Sequence, residues 1–180
     1  MQPRVQYDLQ YTYKLLRQYS ATSSLISSIR WGWIDECRSL LSDATYVLDY
    51  GCGVPWFAAH APAWAVVDTY DIGPFPTTGI RRKQYDVVCF FDVLEHLPSL
   101  DAVEGIIGGA SAVAVTVPIK PPQVMWPDWK HWKPGEHLVH FDRMTLCAIF
   151  ELRGFRLQKE GTPECPPRED VHSFLFRRAS

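Results

Sequence analysis

Tyr46-Val47-Leu48-Asp49-Tyr50-Gly51-Cys52-Gly53 decides the fold: an apolar strand runs into an acid and then a turn framed by two glycines. Such a turn lets backbone N–H groups approach a ligand, and the helix that follows aims its positive N-terminus at an anionic group. The stretch therefore reads as a nucleotide-cofactor site, although a Gly-x-Gly turn after a strand also occurs as a plain tight turn.

Working outward, short apolar strands at 46–49, 63–70, 86–91 and 112–117 alternate with helix-compatible segments at 55–60, 100–107 and 143–153. That alternation is the mark of βαβ units around a parallel sheet buried on both faces. Residues 155–157 and 171–176 read as two further strands joined by the proline-rich stretch Thr162–Pro167, an antiparallel pair closing one edge. Ahead of the core, Tyr7, Leu9, Tyr11, Leu15, Leu16 and Tyr19 recur at helical spacings, Ser20–Ser24 interrupts them, and a second helix is expected over Ile29–Leu41. The fold class expected is α/β: a Rossmann-like, doubly wound, mostly parallel sheet with an antiparallel C-terminal edge strand.

With 180 residues and 47% hydrophobic content, the chain can pack one core and is too short for two comfortable domains. A single domain over 1–180 is expected, with N-terminal helices at 1–43, a core at 44–180 and a lid at 118–137. The formal net charge is −2, from 18 basic and 20 acidic side chains, and the basic ones come in twos and threes (Arg81-Arg82-Lys83, Arg177-Arg178). Nucleic acid as an obligate partner is not expected, because duplex binding needs a clustered positive surface. The five cysteines lie far apart and form no Cys-x-x-Cys pair, which suits reduced thiols in a cytoplasmic protein. The N-terminus lacks the apolar stretch of a signal peptide, and the longest apolar run, Ile106–Ile119, is too short and glycine-rich to span a bilayer. No membrane partner is expected.

Two acids compete at the second strand. Asp71 stands twenty-two positions after Asp49, at a spacing that suits a carboxylate accepting both ribose hydroxyls of a nucleoside. Asp68 should point to the opposite face, further from the strand's carboxyl edge, so Asp71 is favoured. Either acid could instead cap the turn that Ile72-Gly73-Pro74 makes.

The third element makes the pattern specific. Leu48-Asp49-Tyr50-Gly51-Cys52-Gly53, Tyr70-Asp71, and Tyr85-Asp86-Val87-Val88 running into Asp92-Val93-Leu94-Glu95-His96-Leu97 together resemble the ordered motif set of class I S-adenosylmethionine-dependent methyltransferases. Pro134-Gly135-Glu136-His137-Leu138-Val139-His140-Phe141 and Glu151-Leu152-Arg153-Gly154-Phe155 are similar to the small-molecule-type branch of that family. The resemblance covers about 46–176. It implies a seven-stranded sheet with S-adenosylmethionine, and S-adenosylhomocysteine as product, across the carboxyl ends of the first strands. It assigns the methionine end to Asp49, Gly51, Cys52 and Gly53, the ribose to Asp71 with Ile72 beside it, and the adenine and methyl region to Phe91, Asp92 and Val93.

Two departures modify this expectation. Pro55 stands where the family's third glycine is expected; it is pre-set for helix entry but removes an N–H donor. Between Asp71 and the strand at 86, the segment 72–84 holds Pro74, Pro76 and Gly79, so the family's third strand should be reduced or missing.

Methyl transfer asks for in-line placement and, where the acceptor must lose a proton, a base. His137, in the segment expected to fold over the methyl end, is the first candidate, and His96 the second, followed by His131 and His140. His137 and His140 with Asp142 form a conceivable metal set, but nothing fixes a three-ligand geometry and no metal is expected. Trp126, Trp129 and Trp132 among Pro121, Pro122, Pro127 and Pro134 suggest a lid whose rings stack on an acceptor or lie near the sulfonium; alternatively they pack on Tyr11, Tyr19, Trp31 and Trp33. The resulting expectation is a methyltransferase acting on oxygen or nitrogen of a small molecule. The alternative is a catalytically degenerate interaction module on the same fold. A nicotinamide-dependent oxidoreductase is weaker, since Trp56 replaces the glycine expected three residues after Gly53.

Overall fold

The strands that read as unbroken apolar runs are the ones buried on both sides. In the computed structural model, which describes residues 9–36, 38–40, 45–165, 168 and 171–179, six strands form one sheet. They are β1 (Thr45–Tyr50), β2 (Ala65–Tyr70), β3 (Val87–Phe91), β4 (Ala112–Pro118), β5 (Phe155–Gly161) and β6 (Val171–Arg178), in the order β2-β1-β3-β4-β6-β5. The first four run parallel, and every residue of β3 and β4 is buried. β6 pairs antiparallel with both β4 and β5, as the closing pair was expected to do.

Alternation of side chains along the strands divides the core into two layers. Leu48, Val88, Phe90, Val113, Val115, Phe174 and Phe176 face one way, packing with Val103 and Ile107 of α4 (Asp101–Ile107) and with Leu146 and Phe150 of α5 (Arg143–Glu151). Val47, Val87, Cys89, Phe91, Ala114 and Leu175 face the other, against Trp31, Trp33 and Ile34 of α2 (Ser23–Asp35) and Phe57 of α3 (Trp56–Ala59). Helices thus cover both faces, the doubly wound arrangement.

α1 spans Leu9–Tyr19. The second helix begins at Ser23, six residues before the expected Ile29. Its serines are absorbed because Ser23 and Ser28 turn their hydroxyls back onto the carbonyls of Ser20 and Ser24, while Ile26, Trp31 and Ile34 supply the buried stripe. Tyr7, Cys37, Leu41, Pro166 and Pro167 lie outside the described residues. Pro55 is the residue before α3 rather than its first, with φ −77°.

The sheet has six strands where the family pattern implies seven, in line with the shortening expected of 72–84. That segment lies along the outer edge of β2 without forming a strand. Thr78 and Thr69 exchange hydrogen bonds between hydroxyl and backbone N–H at 2.8 and 3.0 Å, the Gly79 N–H donates to Thr69 O at 3.0 Å, and Phe75 is buried. Tyr85 then anchors the return: its hydroxyl donates to Asp68 at 2.9 Å and accepts the N–H groups of Arg81 and Arg82. Asp68 also pairs with the Arg82 guanidinium. No described helix is long and apolar enough to cross a membrane.

Candidate functional site

In an open α/β sheet the crevice lies where successive connections leave in opposite directions, here between the carboxyl ends of β1 and β3. The turn after β1 is built to fit there. Gly51 and Gly53 have φ of +75° and +53°, in the left-handed region that favours glycine. A Cβ on Gly51 would stand 2.5 Å from Val93 Cγ2, so the turn and the segment after β3 touch at a point only glycine allows. The Gly51 and Cys52 N–H groups donate to Tyr70 O at 2.7 and 3.1 Å, and the Gly53 N–H to Asp71 Oδ2 at 2.8 Å. These N–H groups, which the sequence offers to a ligand, instead tie the turn to the end of β2.

Asp71 Oδ1 also accepts the Gly73 N–H at 2.6 Å, so this acid does act as a turn cap. Each of its oxygens keeps a lone pair for a further donor. Asp49 is buried, and burial raises its carboxyl from an ordinary 3.8 to about 7, against the pull of the Arg30 charge. Burial likewise raises the half-buried Cys52 thiol, with the charges of Asp49 and Asp71 adding to it. Ile72 is 76% exposed at the outer end of β2.

Asp92 has φ 60°, the one non-glycine left-handed residue among those described. A left-handed backbone at a residue with a Cβ costs energy, and the contacts around it must hold it there. Its N–H donates to Thr116 O at 2.8 Å, and its carboxylate takes Arg168 at 2.6 Å and Arg30 at 3.2 Å. Both guanidiniums also bind Glu164, which is fully buried, Arg30 at 2.7 Å and Arg168 at 2.6 Å. Burial alone would raise Asp92, but the charge and hydrogen bond of Arg168, with Arg30, hold it below the ordinary carboxylate range. Phe91 is turned away from the crevice, under the Arg30 guanidinium at 4.3 Å and beside Phe57 at 5.0 Å. Arg30, Glu164 and Arg168 escaped the sequence reading. The one trace was an isolated Arg30 on an apolar helix face.

Beyond Asp92, a 3-10 turn over Leu94–His96 meets the segment that carries His137. The N–H groups of Leu138 and Val139 both donate to Glu95 O, at 2.7 and 3.1 Å. This brings the His96 and His137 rings to 4.8 Å, edge to face at 83°. His96 Nδ1 meets Glu136 O at 3.0 Å and His137 Nδ1 meets His131 O at 2.9 Å. A carbonyl only accepts, so both rings carry their proton on Nδ1 and the lone pair on Nε2. Burial lowers both, His137 to about 4, so both are neutral at physiological pH.

The two lead histidines therefore meet, and His131 and His140 stand behind them, at 6.3 and 6.1 Å from the His137 ring. Trp126 contacts both Trp129 and Trp132, and all three contact His140, which lies 4.5 Å from Trp132. Trp31 instead stacks on Phe57 at 4.2 Å, and Lys159 lies over Trp33. Trp129 is buried while Trp132 is 38% exposed.

Residues 31–160 match a family described as a methyltransferase domain. Among curated protein sequences none matches. Among solved structures, the magnesium protoporphyrin IX methyltransferase of Synechocystis with bound S-adenosylhomocysteine superposes with TM-score 0.59 at 19% identity, covering 89% of this chain and 83% of that one. An S-adenosylmethionine-dependent methyltransferase of Archaeoglobus fulgidus gives 0.64 at 14%, covering 93% and 100%. The 1,6-didemethyltoxoflavin N1-methyltransferase of Burkholderia thailandensis gives 0.62 at 12%, covering 94% and 85%.

Proposed function

Because the chain belongs to the methyltransferase-domain family, we propose that it transfers a methyl group from S-adenosylmethionine to oxygen or nitrogen of a small molecule, as a single-domain cytoplasmic enzyme. The observation that carries this reading is the meeting, at one point of the sheet edge, of the Gly51–Gly53 turn, Asp71 and the left-handed Asp92. The small-molecule acceptors named for structural neighbours, magnesium protoporphyrin IX and 1,6-didemethyltoxoflavin, support the acceptor class.

The donor set fits the cofactor. Asp49, Gly51, Cys52 and Gly53 border the methionine end. Asp49 offers negative charge to the ammonium once it ionises, and the Arg30 charge that already acts on Asp49 supports a place for the cofactor's carboxylate beside it. Asp71 accepts the ribose hydroxyls on its remaining lone pairs, with Ile72 alongside, while Asp92 and Val93 flank the methyl region. When bound, the cofactor supplies an electrophilic methyl group on a sulfonium. The chain's part is to hold the acceptor in line with it and take up a proton, a role that the Nε2 lone pairs of His137 and His96, with Nδ1 engaged on backbone carbonyls, support.

A second reading, a non-catalytic module on this fold, draws on the ion cluster of Arg30, Arg168, Asp92 and Glu164 across the end of β3. Calorimetric titration with S-adenosylhomocysteine, followed by methyl transfer from labelled S-adenosylmethionine into a metabolite extract, separates the two. Micromolar binding with consumption of label supports the enzyme. Binding without consumption supports the module. Absence of binding, with Asp71→Ala behaving as wild type, sinks the cofactor site altogether.

A further inference from the structure

Glu95, His96 and His137 offer one carboxylate oxygen and two imidazole nitrogens that all lie within 4.8 Å of one another. We propose that these three side chains bind a divalent transition-metal cation. Glu95 is 3% exposed, and its Oε2 is buried with no hydrogen-bond partner. A buried carboxylate oxygen left in that condition is costly, and a cation relieves it. The Asp92 charge nearby adds to the cost by repelling a charged Glu95.

The histidines are already oriented as ligands. Each donates Nδ1–H to a backbone carbonyl, of Glu136 and of His131, which fixes the ring and directs the Nε2 lone pair elsewhere. Metal-bound imidazoles are held in this way. The two N–H donations from Leu138 and Val139 to Glu95 O clamp the segment bearing His137 onto the one bearing Glu95 and His96, so the set spans two chain segments but forms one rigid corner. Bonds of about 2.0–2.2 Å to nitrogen and oxygen bring ligand atoms to about 3.3 Å apart in a tetrahedron, so no pair of the three need close by more than about 1.5 Å, within reach of side-chain rotation. Two imidazoles and one carboxylate suit zinc, cobalt, manganese or ferrous iron rather than magnesium or calcium, and three protein donors leave coordination positions open.

This is not the His137, His140 and Asp142 set that the sequence suggests. Asp142 Oδ1 is engaged as the cap of α5, accepting the Thr145 N–H at 2.7 Å. One consequence rests on the methyl-transfer reading. With the cation bound, the open positions take an acceptor hydroxyl, which the cation acidifies so that its proton passes to bulk water, and His96 and His137 act as ligands; without the cation they keep the proton-accepting role of that reading.

The test is titration of the full chain with Co²⁺, followed by visible absorption and calorimetry, with Zn²⁺ as competitor. One equivalent should bind without a thiolate-to-cobalt charge-transfer band, which excludes Cys52 and Cys165. Glu95→Gln, His96→Asn and His137→Asn should each weaken binding at least tenfold, and His60→Gln, an exposed histidine elsewhere, should leave it unchanged. Glu95→Gln keeps the size and shape of the buried side chain and should keep the fold, as near-ultraviolet circular dichroism will report. X-ray absorption of the cobalt-loaded wild type should show imidazole nitrogen and oxygen, whatever the variants do. Absence of one-to-one binding, sulfur in the shell, or affinity unmoved in a folded Glu95→Gln would overturn the proposal. S-adenosylhomocysteine binding without the cation overturns this site alone; the cation without S-adenosylhomocysteine overturns the methyl-transfer reading alone.

Discussion

Asp71 holds Gly53 in place, its Oδ2 accepting the Gly53 N–H at 2.8 Å across the gap between the ends of β2 and β1. Asp71→Ala leaves that donor and the Gly73 N–H without their acceptor, at a cost of about 1–3 kcal/mol in urea unfolding. Affinity for S-adenosylhomocysteine should fall more than tenfold, because the same carboxylate is assigned to the ribose. Asp71→Asn, which keeps an acceptor oxygen, should lie between. Wild-type affinity in Asp71→Ala would remove Asp71 from the site.

Gly51→Ala should be among the costliest single-atom-scale changes in the protein. The left-handed backbone costs about 1–2 kcal/mol for a residue with a Cβ, and the overlap with Val93 about 1–3 kcal/mol more. Adding Val93→Ala should recover the steric part and leave the backbone part, a non-additivity that a double-mutant cycle reads directly.

Asp49 makes stability and ligand binding respond to pH in opposite directions. Its native carboxyl keeps a proton up to about pH 7, whereas the unfolded one loses it near 3.8. The unfolded state therefore binds fewer protons between these values, and stability falls as pH rises through the window, by on the order of 4 kcal/mol. Cofactor affinity should rise over pH 6–8 as the carboxylate forms to meet the ammonium. Asp49→Asn should be more stable than wild type at pH 8 and lose this rise in affinity; parallel pH profiles for the two proteins would count against the assignment.

Arg30→Met should lower stability by about 2–4 kcal/mol, since Glu164 is fully buried and would keep Arg168 as its remaining cation while Asp92 loses one of two. The loss should be nearly insensitive to salt. By contrast, Arg143→Ala, which breaks an exposed pair with Glu160, should leave unfolding unchanged.

Much of this was legible in the chain because burial writes itself into composition. Val87–Phe91 and Ala112–Pro118 are enclosed on both faces and carry unbroken apolar runs, and the Gly51 and Gly53 turn needs the backbone freedom that only glycine supplies cheaply. The cluster on Asp92 was not legible. Arg30 and Glu164 are 134 positions apart, and nothing local in either neighbourhood announces a partner that the closing of the sheet brings within 2.7 Å. Asp92's left-handed backbone goes with an N–H bonded to the Thr116 carbonyl on β4, a partner twenty-four positions away that no local pattern announces. Glu95 did leave a trace, as an acid following Val93 and Leu94 in a stretch that is otherwise buried, but its meeting with His137 depends on a second segment folding back.

The outer edge of β2 also bears on how the molecule behaves among its own copies. An outermost strand has one neighbour, so a parallel sheet can dispense with it and leave every other register intact. What remains is a row of unpaired backbone groups that invites another chain to add a strand. Here Thr78 and Gly79 occupy that row at Thr69, and Pro74 and Pro76 flank a stretch that cannot extend as a ladder. The segment that stands in place of a strand thus works as a fence, letting the sheet be narrow without becoming adhesive.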